Sequence, residues 1–207
     1  MALAPMDPPW TLSGGAALAG FYTRHRDTRD LDLFWQGARA LGDAGATATD
    51  LITQAGLGVS TLQASPTFQR LLVQDGTDTC AVDLVADPVP LAEPPAWMTL
   101  GAARFRIDTP HQILVNKLCA LLGRSEPRDI EDIRALTDSG QDLPRALADC
   151  STQEAGFSPL TLGWTLERMP VEALATALRW APGRVAGVVA ARGWLVQAIL
   201  EAARPSA

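Results

Sequence analysis

Cysteine is scarce: Cys80, Cys119 and Cys150 are the only three in 207 residues. They are too few and too scattered for a disulfide framework or a zinc site. Each reads as a buried free thiol of a reducing compartment, and the expected localisation is cytoplasmic. An excess of basic residues is also missing. Lys+Arg 17 against Asp+Glu 23 leaves a net charge of −6, which excludes a protein that coats nucleic acid through overall charge but not one with a local basic groove. There is no internal repeat and no low-complexity tract. The most apolar late stretch, residues 185–200, is interrupted by Arg192 and reads as too short to cross a bilayer, so no membrane partner is expected. The first nine residues hold no basic residue and no apolar run, which predicts neither a signal nor a transit peptide. With 47% hydrophobic and 19% charged residues, disordered and fibrous chains are excluded in favour of one ordinary domain or two small ones.

The chain order separates β from α. Residues 10–13 predict a short strand that breaks at Gly14-Gly15, followed by a helix over 16–24 with Leu18, Phe21 and Tyr22 on one side. A second strand is expected over 31–35 and a short helix over 50–54. Residues 70–73 and 80–85 read as a hairpin whose turn carries Asp75-Gly76. Pro88, Pro90, Pro94 and Pro95 make 86–95 a loop, and 104–107 is one more strand. Beyond Thr109-Pro110 the pattern is helical throughout, with Pro127, Pro144, Pro159, Pro170 and Pro182 near successive helix starts. The expected fold class is α+β, a small mixed sheet followed by a helical C-terminal half, divided as 1–108 and 109–207.

Three constellations carry chemistry. Ser13-Gly14-Gly15, between strand and helix, lets backbone N–H groups approach a phosphate closely; a plain tight turn would use the same glycines. In Asp30-Leu31-Asp32-Leu33-Phe34, residues two apart share a strand face about 6.6 Å apart, so Asp30 and Asp32 can reach one hard cation while Leu31 and Leu33 enter the core. Magnesium suits two such carboxylates and leaves positions open for phosphate oxygens. The competing reading is a solvated edge strand neutralised by Arg26 and Arg29. Asp83, flanked by Val82 and Leu84, could complete a set of three carboxylates if its strand lies beside 31–35; Asp78 and Asp87 read as turn residues.

The third constellation is helical. Lys117, the only lysine beside 16 arginines, lies seven residues before Arg124 on the border of the Leu114, Leu118, Leu121 stripe. A compact, mobile point charge is what triphosphate oxygens require. For the next helix the plainer readings are an i, i+4 salt bridge between Arg128 and Asp132 and a dipole-compensating Asp129 in the first turn. Arg24, Arg26, Arg29, Arg104, Arg106, Arg124 and Arg128 are candidates for a local basic cluster.

Taken together, Gly14-Gly15-Ala16-Ala17-Leu18, the block from His25 to Phe34, and Lys117 through Arg124 to Arg128-Asp129 resemble the AbiEii-type nucleotidyltransferase toxins, a bacterial branch of the DNA polymerase beta-like nucleotidyltransferase superfamily. The resemblance runs from about residue 12 to 133. It implies a polymerase-beta-like core in which Ser13, Gly14 and Gly15 cradle a nucleoside triphosphate and Asp30 and Asp32 hold Mg2+, with 109–207 completing the active-site cleft. It implies that Lys117 contacts the phosphates, with Arg29 and Arg124 beside the nucleotide and Asp129 in a downstream acidic motif. It further implies transfer to an acceptor hydroxyl such as the 3′ end of tRNA or another RNA, and a cognate antitoxin partner. Ala16 departs from the pattern, since relatives often carry a hydroxyl residue after the two glycines. The alternatives are a transferase acting on a sugar, antibiotic or metabolite, and a nucleotide-binding module without turnover.

Overall fold

A computed structural model describes residues 2–204. Two compact units meet in sequence at Thr109 and Pro110.

The first unit is built on a mixed seven-stranded sheet. In chain order it contains β1 (Thr11–Ser13), α1 (Gly14–Ala17), β2 (Asp30–Gln36), α2 (Ala44–Gln54), β3 (Gly58–Ala64), β4 (Phe68–Asp75), β5 (Asp78–Asp87), β6 (Ala96–Leu100) and β7 (Ala103–Ile107). The strand order is β3-β4-β5-β2-β1-β7-β6, so β2 is central. β2 runs parallel to β5 and antiparallel to β1, β1 is parallel to β7, and the outer neighbours pair as antiparallel hairpins. Alternation does the sorting: Leu33 and Trp35 of β2 are buried together with Leu84 and Leu71 of the neighbouring strands, while Asp30 and Asp32 face the other way. Each such fully buried side chain contributes about 1.5–3 kcal/mol. The Trp35 indole N–H donates to the Pro8 carbonyl at 3.0 Å, tying the N-terminal segment to the sheet.

Several boundaries differ from the sequence expectation, each for a local reason. The helix after β1 starts at Gly14 rather than Ala16 and widens over Leu18–Tyr22 into π-helical geometry, with the Thr23 N–H bonded to the Leu18 carbonyl. α2 begins six residues early, because Gly45 and Ala48 continue the buried stripe of Ile52 without looking hydrophobic. β3 and β6 went unrecognised. Both are edge strands with mostly exposed residues, so the inside–outside alternation that marks a half-buried strand is missing.

The second unit holds α3 (Pro110–Gly123), α4 (Pro127–Asp138), α5 (Leu143–Gln153), α6 (Pro159–Arg168), α7 (Val171–Ala177) and α8 (Pro182–Ala202). Proline occupies the first turn of α4, α5, α6 and α8, where its missing N–H costs no helical bond. α3 packs against α4, α5 and α6, and its Leu114, Leu118 and Leu121 are buried as the sequence stripe requires. The last helix corrects an expectation: α8 runs 21 residues, with a window of mean hydropathy 1.4, so by length and composition it is long and apolar enough to cross a membrane. It packs against α4, α5, α6 and α7, burying Val188, Leu195, Val196 and Ile199.

Candidate active site

The structure gathers the predicted residues into two constellations, one in each unit. In the first, strand register does the work. Arg70 of β4, Asp83 of β5, Asp32 of β2 and Ser13 of β1 are successive cross-strand partners and form one row across the sheet. Asp30 lies one pleat along β2 on the same face. The Asp-x-Asp pair therefore lies at the centre of the sheet, which removes the solvated-edge reading.

Gly14 closes against this row. Its φ is +63°, the left-handed region that other residues enter at a cost of about 1–2 kcal/mol. A Cβ there would overlap Asp32 Oδ2 and lie 2.9 Å from Asp32 Cγ, so the carboxylate occupies the space that only a glycine leaves. At Gly15 a Cβ would meet the Arg26 guanidinium, with Nη2 at 2.7 Å, and the Thr28 hydroxyl at 3.3 Å. Thr28 in turn donates to Asp30 Oδ1 at 2.6 Å. The glycine turn, both carboxylates and a guanidinium thus meet in one place. Ser13 is buried at the head of the turn, and Arg29 is exposed immediately before β2. Arg29 accepts the Ala81 N–H through its carbonyl.

Asp83 has the expected position, and an arginine engages its carboxylate. Its strand lies beside β2 and Asp83 is the neighbour of Asp32, yet Arg70 donates to both of its oxygens, Nε to Oδ1 at 2.7 Å and Nη2 to Oδ2 at 2.6 Å. Among the described residues no group of three His, Cys, Asp or Glu side chains is arranged to hold a metal ion, so the expected three-carboxylate set is not assembled. The physical reason is repulsion. Two carboxylates on adjacent strands, about 5 Å apart, repel by about 3 kcal/mol at an effective dielectric near 20, and the Arg70 fork offsets it. That hydrogen bond raises the Arg70 pKa; burial opposes the rise, and the charges of Asp83, Asp30 and Asp32 add to it. Arg70 was not singled out from the sequence. The signal was present, because counting outward from the two-residue turn Gly76-Thr77 sets Arg70 opposite Asp83.

The second constellation is a buried ion network. Lys117 Nζ lies 2.7 Å from Asp129 Oδ1 and 2.8 Å from Asp132 Oδ2, with the three side chains 8%, 2% and 0% exposed. Arg124 reaches the same Asp129 through Nε at 2.8 Å and Nη2 at 3.0 Å. Two cations and two carboxylates close on one another, which keeps ionised groups tolerable in a protein interior. Lys117 is therefore not at the margin of an apolar face but held inside it, with two of its three donors engaged. The expected Arg128–Asp132 bridge does not form: Asp132 serves Lys117, and Arg128 Nη2 is 3.9 Å from Glu126. Asp132 was missed as a site residue, although i, i+3 spacing sets it on the helix face of Asp129.

Three of the candidate arginines have identified partners within their own units. Arg104 stacks over Trp97 at 4.4 Å, Arg106 donates to the Pro9 and Trp10 carbonyls, and Arg124 is committed to Asp129. The cysteines are all free thiols, but only Cys150 is buried, while Cys80 and Cys119 are half-buried. The Cys150 thiol donates to the Val115 carbonyl at 3.7 Å and the Cys119 thiol to the Cys150 carbonyl at 3.9 Å. The interaction between the two thiols pulls the Cys119 pKa down and pushes that of Cys150 up, while burial and Asp30 push up that of Cys80.

The fold has solved counterparts. JHP933 from Helicobacter pylori is 20% identical, with 97% of this chain and 86% of that chain aligned at a TM-score of 0.56. MenT4, a nucleotidyltransferase toxin from Mycobacterium tuberculosis H37Rv, is 14% identical over 97% and 77% of the two chains, with a TM-score of 0.59. An antigenic nucleotidyltransferase-like protein from Paracoccidioides brasiliensis is 14% identical over 82% and 84%, at 0.50. At these identities the likeness is one of fold. No curated protein matches. Residues 1–182 match the family described as nucleotidyl transferase AbiEii toxin, type IV TA system, and the motif-bearing segments of both constellations lie inside that span. The chain is a nucleotidyltransferase and belongs to the AbiEii toxin family.

Proposed function

We propose that the protein transfers a nucleoside monophosphate from a nucleoside triphosphate to an acceptor hydroxyl, releases pyrophosphate, depends on magnesium, and is the toxin of a toxin–antitoxin pair. The observation that carries the reading is the approach of Asp32 to Gly14 on the central strand, with Asp30 one pleat away. Two hard carboxylate oxygen donors on one face, next to a turn stripped of side chains, fit a small divalent cation and the phosphates it accompanies. When bound, Mg2+ supplies charge neutralisation at the triphosphate and polarises the reacting oxygens.

The chain's own residues supply the rest. Asp30 and Asp32 hold the cation, and the Ser13-Gly14-Gly15 backbone lines the phosphates. Within the first unit Arg29 adds charge beside that turn; within the helical unit Lys117, with its third N–H left over from Asp129 and Asp132, and Arg124 are the proposed phosphate-contacting groups. The acceptor oxygen attacks the α-phosphorus, the bond to the pyrophosphate oxygen breaks, and the hydroxyl proton leaves to a neighbouring base. The 3′ end of tRNA or another RNA is the proposed acceptor, with an antitoxin as the partner and the cytoplasm as the compartment. A net charge of −6 favours the second reading, a small sugar, antibiotic or metabolite as acceptor.

Thermal unfolding with a non-hydrolysable triphosphate tests the metal assignment. The parent should gain stability only when magnesium is present, and the Asp30→Asn/Asp32→Asn variant should gain none. Equal shifts in the two proteins would overturn the assignment.

A further inference from the structure

We propose that Arg70 takes the place of a second cation: the site is built for one divalent ion, on Asp30 and Asp32, and Asp83 is a positioning partner of Arg70 rather than a metal ligand. The inference rests on the metal-dependent reading above and asks how many ions that site accepts.

The argument is one of geometry. Arg70, Asp83 and Asp32 are successive partners across three strands, so the guanidinium stands at the end of a row of carboxylates on the face that carries Asp30. Both Asp83 oxygens are filled by parallel N–H donors at 2.7 and 2.6 Å, the fork-to-fork arrangement in which a carboxylate has least left to offer a metal. A metal ion on Asp83 would have to displace that pair and would meet a fixed positive charge beside it. The arginine is anchored from behind as well, lying over the Phe68 ring at 5.8 Å. It is not sealed in: its side chain is 44% exposed, against 8% for Asp83. Nη1 takes no part in the two bonds to Asp83, which leaves a donor for an anionic oxygen of the bound substrate. A guanidinium keeps its charge at every working pH, so this second charge is permanent, where an ion would have to be recruited.

Manganese, counted by electron paramagnetic resonance in the presence of a saturating non-hydrolysable triphosphate, tests the proposal without reference to turnover. The parent should bind one ion per chain, and Asp83→Asn should leave that number at one. Arg70→Gln, which uncovers the Asp83 carboxylate, should bind two, the second at least tenfold more tightly than any second ion of the parent. Arg70→Lys keeps the charge and should stay at one. Two ions in the parent, falling to one in Asp83→Asn, would overturn the proposal and make Asp83 a ligand. A count of one in Arg70→Gln would equally overturn it, since Arg70 would then not be what excludes the second ion. If the parent binds none, the metal-dependent reading fails and this inference with it, a result distinct from the other two.

Discussion

Replacing Lys117 by methionine keeps the length and apolar stem of the side chain and removes only the ammonium. Asp132, 0% exposed, then loses the ammonium 2.8 Å away, and Asp129, 2% exposed, loses one of its two cations and keeps Arg124. Breaking a buried pair by deleting one partner costs about 3–5 kcal/mol, because the remaining charge stays desolvated. With a urea dependence of about 2 kcal/mol per molar, the unfolding midpoint should fall by about 2 M. Far-UV circular dichroism follows the helical unit, where the whole network lies. The companion Lys117→Met/Asp132→Asn removes the buried carboxylate charge facing the lost ammonium and should recover at least half of the loss. A midpoint change worth under about 0.5 kcal/mol in Lys117→Met would refute the reasoning and make Lys117 an ordinary cation with no structural duty. Loss of activity in any Lys117 variant has to be weighed against this stability change before a phosphate contact is credited.

Gly14→Ala should cost about 1–2 kcal/mol in left-handed strain, displace Asp32 and abolish the magnesium-dependent triphosphate shift, while Gly15→Ala, which meets the mobile end of Arg26, should keep part of it; equal behaviour of the two would count against the close approach at Gly14. Alkylation at neutral pH, read by peptide mass spectrometry, should label Cys119 first, since its pKa is lowered, then Cys80, whose pKa is raised, and Cys150 last; early labelling of Cys80 would contradict this order. Expression of the parent should slow growth of a bacterial host, and Asp32→Ala at a matched soluble level should not; equal inhibition would mean that the effect is not catalytic.

What the sequence made legible was set by periodicity and punctuation. β2 and β5 were readable because one face is core, and the prolines announced the helices because each stands where a helix can accept it. The exposed edges β3 and β6 carry no such alternation, and α2 hides its buried stripe in Gly45 and Ala48. Asp30 and Asp32 could be assigned to one face from spacing alone. The partners of Lys117 and Asp83 could not, because an ion pair depends on which side chains tertiary packing brings within reach. Arg70 and Asp132 took those places, and both were within reach of simple counting once the hairpin turn and the helix start were known.

The central claim is that this chain moves a nucleotide through the carboxylates of β2. The direct measurement presents each of the four nucleoside triphosphates, labelled at the α-phosphate, to the protein with magnesium and with total RNA, total protein or small alcohols as acceptors. The account predicts that the parent attaches label to an acceptor, that omission of magnesium prevents it, and that Asp30→Asn/Asp32→Asn lowers the rate by at least ~100-fold, about 2.7 kcal/mol of barrier. Label transferred by that double variant at a rate within about threefold of the parent would contradict it.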